Sequence, residues 1–487
     1  MAQSAAVQDL VRTNGAEAGS SPSHADVLRA AARDGGDAAR AAVAELTERA
    51  LEQTGRGLQL SEADLSRLDL RGFDLRRATL NRALLWSTRF DGADLRGVTM
   101  ICPGAEKTSF AGADLRGAYV HALAAQVCDF TGANLAEMLD ATGTMFHGCI
   151  MVGTVLDRAM LAGATFYQCD LTGTHWEGAR LQGSVVNECL LDRADLSGAD
   201  LSQVTLTKCH LGQTSLVGAS GHGLTIQIPT AADALRLEHA HLPALRLDRV
   251  SAEGVLAEGL AAPGAHVTRC TLPGAALRGA DLSDASVVET SLSGADLSGA
   301  TLAGAQLRRS TLDGARLDGV GAENVSLAEC SLRSASLRSF AGRCAVLRDC
   351  DAEGADFAGA YLYRAMLTGD PPKSMRLAGA DLTGANLVQA YVAADLDHAT
   401  LRDAQCSYAR LNQSSLRDAD VRGIRAFEAS FVKTTFAGAR LSTLEPPFFA
   451  DRCPGLREAL ERGGAEDAAA FLDRLAGAIS GGRAGST

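Results

Sequence analysis

The chain is poor in aromatic residues and in basic charge, and it contains no long apolar run. Aromatic residues make up 5% of its 487 residues, which indicates a narrow core filled by aliphatic side chains. The formal net charge is -12, so direct nucleic-acid binding is not expected, because it requires basic stripes. No apolar run approaches the length of a membrane span. The N-terminal residues also lack a basic start followed by an apolar core, which predicts a cytoplasmic protein, unless it is exported without a cleaved signal.

The sequence also lacks the local motifs of common enzymes. It contains no GxSxG, no glycine-rich phosphate loop ending in Lys-Ser/Thr, no HExxH and no CxxC. His147 lies near Cys149, and Cys209 precedes His210, an arrangement that would allow a metal, but packing is the favoured interpretation for these cysteines. We therefore predict a protein that is not an enzyme, with no catalytic residue, no cofactor and no metal site.

What the chain does contain is a period of five residues. It is clearest in residues 291–307, SLSGADLSGATLAGAQL, where leucine recurs at every fifth position. The leucines are Leu292, Leu297, Leu302 and Leu307, and Ala295, Ala300 and Ala305 lie two places before the last three. Neither an α-helix nor a β-strand has this period. A fixed period with a repeated apolar residue indicates a solenoid, in which each unit is stable only when stacked on its neighbours.

The period extends from about Leu58 to Leu441 and changes phase three times. One residue is added within 136–141, another within 226–232, and one is missing within 392–396. A second ladder groups the fives into twenties, and its clearest members are Cys149, Cys169, Cys189 and Cys209. One chemistry recurring every four pentapeptides predicts a four-sided coil with this column on one inner side. We expect these cysteines to be free, buried thiols.

Each pentapeptide is predicted to place two residues inside the coil. The central leucine or phenylalanine points inward, and the residue two places before it also points inward and must be small, because four sides meet in a narrow section. The other three positions face water. Glycine at the last position suits a corner that needs unusual backbone angles.

This pattern resembles the pentapeptide-repeat family, whose consensus is A(D/N)LXX. The resemblance covers about three-quarters of the chain and implies an all-β solenoid, a right-handed quadrilateral β-helix, here of about 19 four-sided coils. The family does not imply one function. It includes proteins that shield DNA topoisomerases from inhibitors, secreted effectors and secretion-associated adaptors.

The predicted domains follow from where the repeat starts and stops. Residues 1–23 are expected to be disordered, residues 24–57 to form a helical cap divided by Gly35 and Gly36, and residues 58–445 to form the β-helix. Residues 446–480 are expected to form a helical C-terminal cap, and residues 481–487 a disordered tail. Helical ends fit because an open coil exposes unpaired backbone. The residues predicted to cover the last coil, or alternatively to form a homodimer through the C-terminal helices, are Phe448, Phe449, Phe471, Leu472, Leu475 and Ile479.

One interruption of the repeat is a candidate interaction site. The segment TGDPPKSM, residues 368–375, keeps the phase but replaces repeat residues with Asp370, Pro371, Pro372 and Lys373. Proline removes donors from the backbone ladder, so we expect this segment to bulge outward. The alternative is a tolerated defect.

Two functions remain open at this point. The first is a non-enzymatic scaffold that binds a protein partner of unknown identity, such as a secretion-associated adaptor or effector. The alternative is a DNA mimic that binds gyrase and gives resistance to a gyrase inhibitor. Such a mimic needs unbroken acidic stripes, but here the column of Asp74, Asp94 and Asp114 runs beside arginines two residues on. That departure from a stripe favours the scaffold.

Overall fold

A computed structural model describes residues 23–370, 374–442 and 453–462, and the chain forms two compact units, Met1–Ala252 and Glu253–Thr487. Both units are built from the same four-sided coil. The described helices are α1 His24–Asp34, α2 Asp37–Thr54 and α3 Leu456–Arg462. The described strands are β1 Thr99–Ile101, β2 Gly104–Glu106, β3 Tyr119–His121, β4 Ala124–Gln126, β5 Met145–His147, β6 Thr165–Tyr167, β7 Val185–Asn187, β8 Thr205–Thr207, β9 Thr225–Gln227, β10 Arg246–Asp248, β11 His266–Thr268, β12 Ser286–Val288, β13 Gln306–Arg308, β14 Ser326–Ala328, β15 Val346–Arg348, β16 Met366–Thr368, β17 Met375–Arg376, β18 Tyr391–Val392 and β19 Ala394–Asp395.

Each pentapeptide forms one side of a coil and the turn that follows it. Along a side, the outward residue, the buried central residue and the next outward residue alternate as they do in a strand. Most turns close through a backbone hydrogen bond, such as the one that Ala295 N donates to Leu292 O over 3.0 Å. The last residue of the pentapeptide has a left-handed backbone, as Gly294 does with φ of 66°. Glycine is not required there, because 41 of the described residues other than glycine also have positive φ, including the β-branched Val127 and Ile228.

Successive coils are joined by parallel backbone pairing. The strand-bearing side passes through ten coils in the first unit, from Asp64 to Arg246, and nine in the second, from His266 to Ser430. Strands occur on eight and seven of these coils, which gives a solenoid with about 15 strand-bearing turns. The outer coils carry single bridges there instead of strands. The chain is therefore a right-handed quadrilateral β-helix.

The spacing between paired residues is twenty except at four places in the described residues. It rises to 21 where Ala124 pairs with Met145, and again where Thr225 pairs with Arg246. In the second unit it rises to 25 where Met366 pairs with Tyr391, and the following pairs, such as Met375 with Ala394, are 19 apart. The longest coil contains the segment between β16 and β17. This coil is therefore one whole pentapeptide longer than the regular coil of twenty residues.

The interior of each coil is filled by columns of identical or complementary side chains. Phe90, Phe110 and Phe130 stack with ring centroids about 5 Å apart and nearly parallel planes. The position two before the central residue is not always small: Phe340 fills it where the central residue is Gly342. A Cβ on Gly342 would lie 2.6 Å from a carbon of the Phe340 ring. A large residue at one of these two positions therefore requires a small residue at the other.

The cysteine ladder belongs to a column of hydrogen-bond donors at the corner that follows the strand-bearing side. At this corner the amide of Thr290 donates to Ser310 Oγ of the next coil over 3.2 Å, and Ser310 Oγ donates to Val287 O over 3.4 Å. Val287 O and Thr290 N are the pair that bond directly in other turns, so the hydroxyl bridges them. A cysteine donates to the equivalent carbonyl, as Cys169 Sγ does to Phe146 O over 3.3 Å. Other members that donate to the coil below are Thr88, Thr108, Cys128, Cys149, Cys209, Cys330, Cys350, Ser414 and Thr434.

Helices α1 and α2 cover the first coil. Helix α1 begins at a capping box between Ser23 and Asp26, and Gly35 ends it in a left-handed conformation. Arg29 Nη2 donates to Asp64 O over 3.1 Å, and Thr47 Oγ1 donates to Asp74 O over 2.9 Å. These carbonyls would otherwise lack the amides of a preceding coil.

Helix α3 covers the last coil of the second unit in a similar way. Phe436 N donates to Pro454 O over 2.8 Å, and Leu441 N donates to Ala459 O over 2.9 Å. Ala459 and Leu460 are fully buried. Residues 443–452 and 463–487 lie outside the described part of the chain.

Candidate functional site

One corner of the second unit gathers exposed aromatic and arginine side chains. We name it the aromatic corner and define it as the outward residues on two neighbouring sides, and at the corner between them, over the four coils that contain Tyr361, Asn386, Gln405 and Arg425. Its members are Tyr361, Tyr363, Arg364, Met366, Thr368, Asn386, Val388, Gln389, Tyr391, Ala393, Gln405, Ser407, Tyr408, Arg410, Asn412, Arg425, Phe427, Glu428, Ser430 and Val432. They include four of the six tyrosines of the chain.

The repeat itself places these side chains on the surface. Tyr361 and Tyr363 flank a buried central Leu362, and Tyr391 precedes the buried central Val392. Tyr408 stands at a corner with φ of 60°. Tyr361, Tyr391, Tyr408 and Phe427 are 37–48% exposed, whereas phenylalanines such as Phe90, Phe110 and Phe130 fill the core.

The aromatic side chains are held by contacts with each other. The rings of Tyr361 and Tyr363 lie 6.2 Å apart with an interplanar angle of 22°. Tyr408 meets Phe427 of the next coil edge to face at 5.6 Å. These contacts fix the orientation of the rings before any partner binds.

A polar bridge links two coils of the aromatic corner. Gln389 Oε1 accepts hydrogen bonds from Tyr363 Oη over 3.0 Å and from Arg364 Nε over 2.7 Å. The guanidinium of Arg364 also lies 5.3 Å from the centre of the Tyr363 ring. The bridge leaves the two terminal amino groups of Arg364 without a partner among the described residues.

The predicted site in the proline-containing segment is described only at its first residue. Asp370 is exposed, its amide donates to Asp349 Oδ1 over 2.8 Å, and its carboxylate lies 3.9 Å from Arg348 Nη1. Pro371, Pro372 and Lys373 lie outside the described residues. The segment leaves the coil directly after β16, which shares the strand-bearing side with Tyr391, so it begins beside the aromatic corner.

The residues predicted for a C-terminal cap or dimer contact also lie outside the described residues. They are Phe448, Phe449, Phe471, Leu472, Leu475 and Ile479. These assignments stay predictions.

The aromatic corner was not predicted from the sequence. Its signal was present, because four of six tyrosines fall between residues 361 and 408. A single tyrosine in an outward position looks like an ordinary surface residue. Only the pairing of coils 25 and 19 residues apart brings Tyr361, Tyr391 and Phe427 together.

No group of three or more His, Cys, Asp or Glu side chains within residues 23–370, 374–442 and 453–462 is arranged to hold a metal ion. The cysteine ladder supplies donors to the backbone, and its members are free thiols. Burial raises the pKa of Cys209 and of Cys406 to about 12, so neither would be a thiolate at neutral pH.

The first unit carries a second exposed region of different chemistry. An open recess of about 540 Å³ lies on its strand-bearing side above Gly104 and Ala124, between Trp86 and Met145. The Arg67 guanidinium lies 4.2 Å from the centre of the Trp86 ring. The recess is largely uncharged, whereas the aromatic corner carries several arginines.

The coil and its repeat define a class of protein, a β-solenoid wound from pentapeptides. The family model for pentapeptide repeats matches more than half of the residues, and the chain belongs to the pentapeptide-repeat family. The matched residues are 59–97, 142–175, 177–220, 263–299, 290–320, 343–369, 376–418, 394–431 and 404–442. Proteins of this family are generally structural or interaction proteins.

Several solved structures are similar to the chain, all at low identity. The plasmid-mediated fluoroquinolone resistance protein QnrB1 is 17% identical over 47% of this chain and 93% of its own, with a TM-score of 0.16. HetL from Nostoc sp. strain PCC 7120, involved in heterocyst differentiation regulation, is 20% identical over 78% of this chain and 94% of its own, with a TM-score of 0.09. A pentapeptide repeat protein of the Arabidopsis thaliana thylakoid lumen is 23% identical over 30% of this chain and 67% of its own, with a TM-score of 0.11.

Among curated proteins, no sequence matches this chain. Within the described part of the chain, no helix has both the length and the apolar character needed to span a bilayer.

Proposed function

We propose that this protein is a non-enzymatic scaffold that binds a protein partner through the aromatic corner. The observation that carries the proposal is the gathering of Tyr361, Tyr391, Tyr408 and Phe427, all exposed, on adjacent coils of one unit. Tyrosine, arginine, phenylalanine and methionine are the residues that concentrate in the centres of protein interfaces.

Rigidity supports the same conclusion. The backbone amides and carbonyls of the corner bond to the coils above and below, for example Leu362 N to Asn386 O over 2.7 Å and Tyr391 N to Ala365 O over 2.9 Å. Ring contacts and the Gln389 bridge restrict the side chains. Little conformational entropy would be lost when a partner binds a surface that is already ordered.

Site-specific crosslinking tests the proposal. A photoreactive phenylalanine analogue placed at Tyr408 should give one discrete crosslinked product in a lysate of the native host, and the same analogue at Gln306, exposed on a lower coil of the same unit, should not. The captured protein would then be identified, purified and titrated against the full chain. The double variant Tyr361→Ser, Tyr391→Ser should weaken that complex by at least about ten-fold, since aromatic anchors at interfaces typically contribute more than about 1 kcal/mol each.

Tyr167→Ser provides the matched control, because Tyr167 is an outward tyrosine of the first unit. It should leave the affinity unchanged. Equal weakening by Tyr167→Ser and by the double variant, or no weakening by either, would contradict a binding site at the aromatic corner.

The gyrase-binding alternative is less well supported by the charges. The acidic column of the first unit is neutralised within each coil: Asp94 lies 2.6 Å from Arg96, and Asp114 lies 2.7 Å from Arg116. The hydrogen bond from Arg116 lowers the pKa of Asp114. A DNA-like surface would need these carboxylates unpaired.

In a supercoiling assay, we expect the purified protein to leave drug-inhibited gyrase unrelieved even at high molar excess, and relief of the inhibition would favour the alternative.

A further inference from the structure

We infer that the partner bound at the aromatic corner presents an acidic segment that contains apolar or aromatic residues. The inference rests on the proposed function and adds the chemistry of the partner. Its starting point is charge: the twenty residues of the corner include Arg364, Arg410 and Arg425 but a single carboxylate, Glu428. The corner is therefore net positive, although the whole chain has a net charge of -12.

The arginines of the corner differ from others in the same unit. Arg333, Arg338 and Arg402 each form an ion pair with an aspartate of a neighbouring coil at 2.5–2.7 Å. Among the described residues, neither Arg410 nor Arg425 forms an ion pair, and both are exposed. A guanidinium without a carboxylate is free to bind one from a partner.

Arg364 is also held in position. Its Nε donates to Gln389 Oε1, and its guanidinium lies beside the Tyr363 ring. The terminal amino groups remain available, and two N–H groups of a guanidinium can bind both oxygens of one carboxylate. Because the ring and the amide fix the side chain, less conformational entropy is lost when that bond forms.

The aromatic rings indicate that the partner also carries apolar groups. Tyr391 pairs with Met366 on one side and with Arg410 on the other, so an apolar, an aromatic and a cationic side chain follow one another along one direction. A partner segment must therefore supply both carboxylates and apolar groups. Single-stranded nucleic acid offers anions and stacking bases, but the net charge of -12 repels a long polyanion. A short acidic protein segment is favoured.

Fluorescence anisotropy with defined probes tests the inference on the full chain. The probes are a labelled random copolymer of glutamate and tyrosine, a copolymer of lysine and tyrosine, and a twenty-nucleotide thymidine strand. We expect the glutamate–tyrosine copolymer to bind best and to dissociate as sodium chloride is raised, because exposed ion pairs are screened by salt. Each of Arg364→Gln, Arg410→Gln and Arg425→Gln should weaken it about three-fold, in line with exposed pairs.

The control variants are Arg278→Gln and Arg417→Gln, which replace exposed arginines on other sides of the same unit and should leave the affinity unchanged. Tighter binding of the thymidine strand, equal binding of the lysine–tyrosine copolymer, or an affinity unaffected by the three arginine variants would each overturn the inference. The crosslink from Tyr408 depends on the rings rather than on the arginines, so it would persist in that case. Loss of the crosslink would instead contradict the proposed function.

Discussion

Two inward residues and one hydrogen-bond donor decide most of the architecture. The central residue and the one two places before it share a fixed volume, as Phe340 and Gly342 show. The donor column adds a preference for a hydroxyl or thiol at one of the four corners of the coil. There a hydroxyl or thiol such as that of Ser310 joins a carbonyl and an amide that do not bond directly. This explains why serine, threonine and cysteine occupy most of the column, although Val250 and Ala394 also stand in it.

Removing one member of the donor column should be costly. We expect Ser310→Ala to lower the free energy of unfolding by about 1–3 kcal/mol, because it leaves Val287 O and Thr290 N buried without their shared partner. Ser310→Cys should cost less, since Cys330 occupies the same column. Urea denaturation monitored by circular dichroism measures both. The control Ser293→Ala, at an outward position, should change stability by less than about 0.5 kcal/mol, and a cost for Ser310→Ala no larger than that would contradict the role of the column.

The sequence predicted the column but not its reason. Spacing alone placed Cys149, Cys169 and Cys189 twenty residues apart and inside the coil, and the structure confirms that they are buried. Smallness was the predicted cause. The hydrogen bond could not be predicted, because it depends on which of the four turns lacks its own backbone bond, and all four turns have similar sequences.

At the scale of elements, the helices and the extra pentapeptide modify a regular coil. Side chains of helices α1 and α2, rather than another strand, donate hydrogen bonds to backbone carbonyls of the first coil. One of these contacts titrates: His24 Nδ1 accepts a hydrogen bond from Gln59 N over 2.9 Å, which requires an unprotonated nitrogen. Burial lowers the pKa of His24 below its ordinary value of 6.5.

The contact of His24 predicts a pH dependence of stability. Because the folded protein binds this proton less readily than the unfolded chain does, the stability is fully present above about pH 6.5 and is lost as the pH falls through the lowered pKa. Thermal unfolding at pH 7.5 and at pH 5 should show a decrease that is smaller in His24→Gln. His266→Gln, on an exposed strand position, should retain the full decrease, and an unchanged profile in His24→Gln would refute the assignment.

The extra pentapeptide should be dispensable for folding. Deleting residues 370–374 would join Gly369 to Met375, whose backbone is already close, since a Cβ on Gly369 would lie 2.6 Å from Met375 N. The coil would return to twenty residues, and we expect the thermal midpoint to change by only a few degrees. Deleting residues 379–383, the same length from a regular side, should instead prevent cooperative folding. If both deletions destabilise equally, the segment is part of the coil.

The sequence could predict that this segment departs from the repeat, because two prolines cannot donate to the ladder. It could not predict the 25-residue coil. The inserted residues keep the phase of five, so the pattern reads continuously from Leu367 to Leu377. For the same reason, the aromatic corner could not be predicted from the sequence. The insertion changes which residues pair between coils, and therefore which tyrosines become neighbours.

At the scale of the whole molecule, the chain protects most of its thiols by folding. Nine of its twelve cysteines are buried, Cys344 and Cys453 are half-buried and Cys102 is exposed. The protected thiols occur in both compact units. They therefore report on the integrity of each unit separately.

Thiol counting tests this arrangement. We expect Ellman's reagent to modify Cys102 quickly and Cys344 and Cys453 more slowly, while the nine buried thiols react only after denaturation, because the thiolate is the reactive form and burial disfavours it. Cys102→Ser should remove the fast phase. Rapid reaction of more than three thiols in the native protein would show that the coils open far more readily than their paired backbone implies.

The donor column has a consequence for how such a chain can grow. A duplication of twenty residues would return every later residue to its own side, with a donor still at the corner that needs one. A duplication of five would move every later residue by one side and leave that corner without its hydroxyl or thiol. The second unit carries such an added five, but the later residues keep their sides, and Ser414 still donates to Val392 O over 3.0 Å. The heritable unit of this fold is therefore the full coil, although its visible period is five.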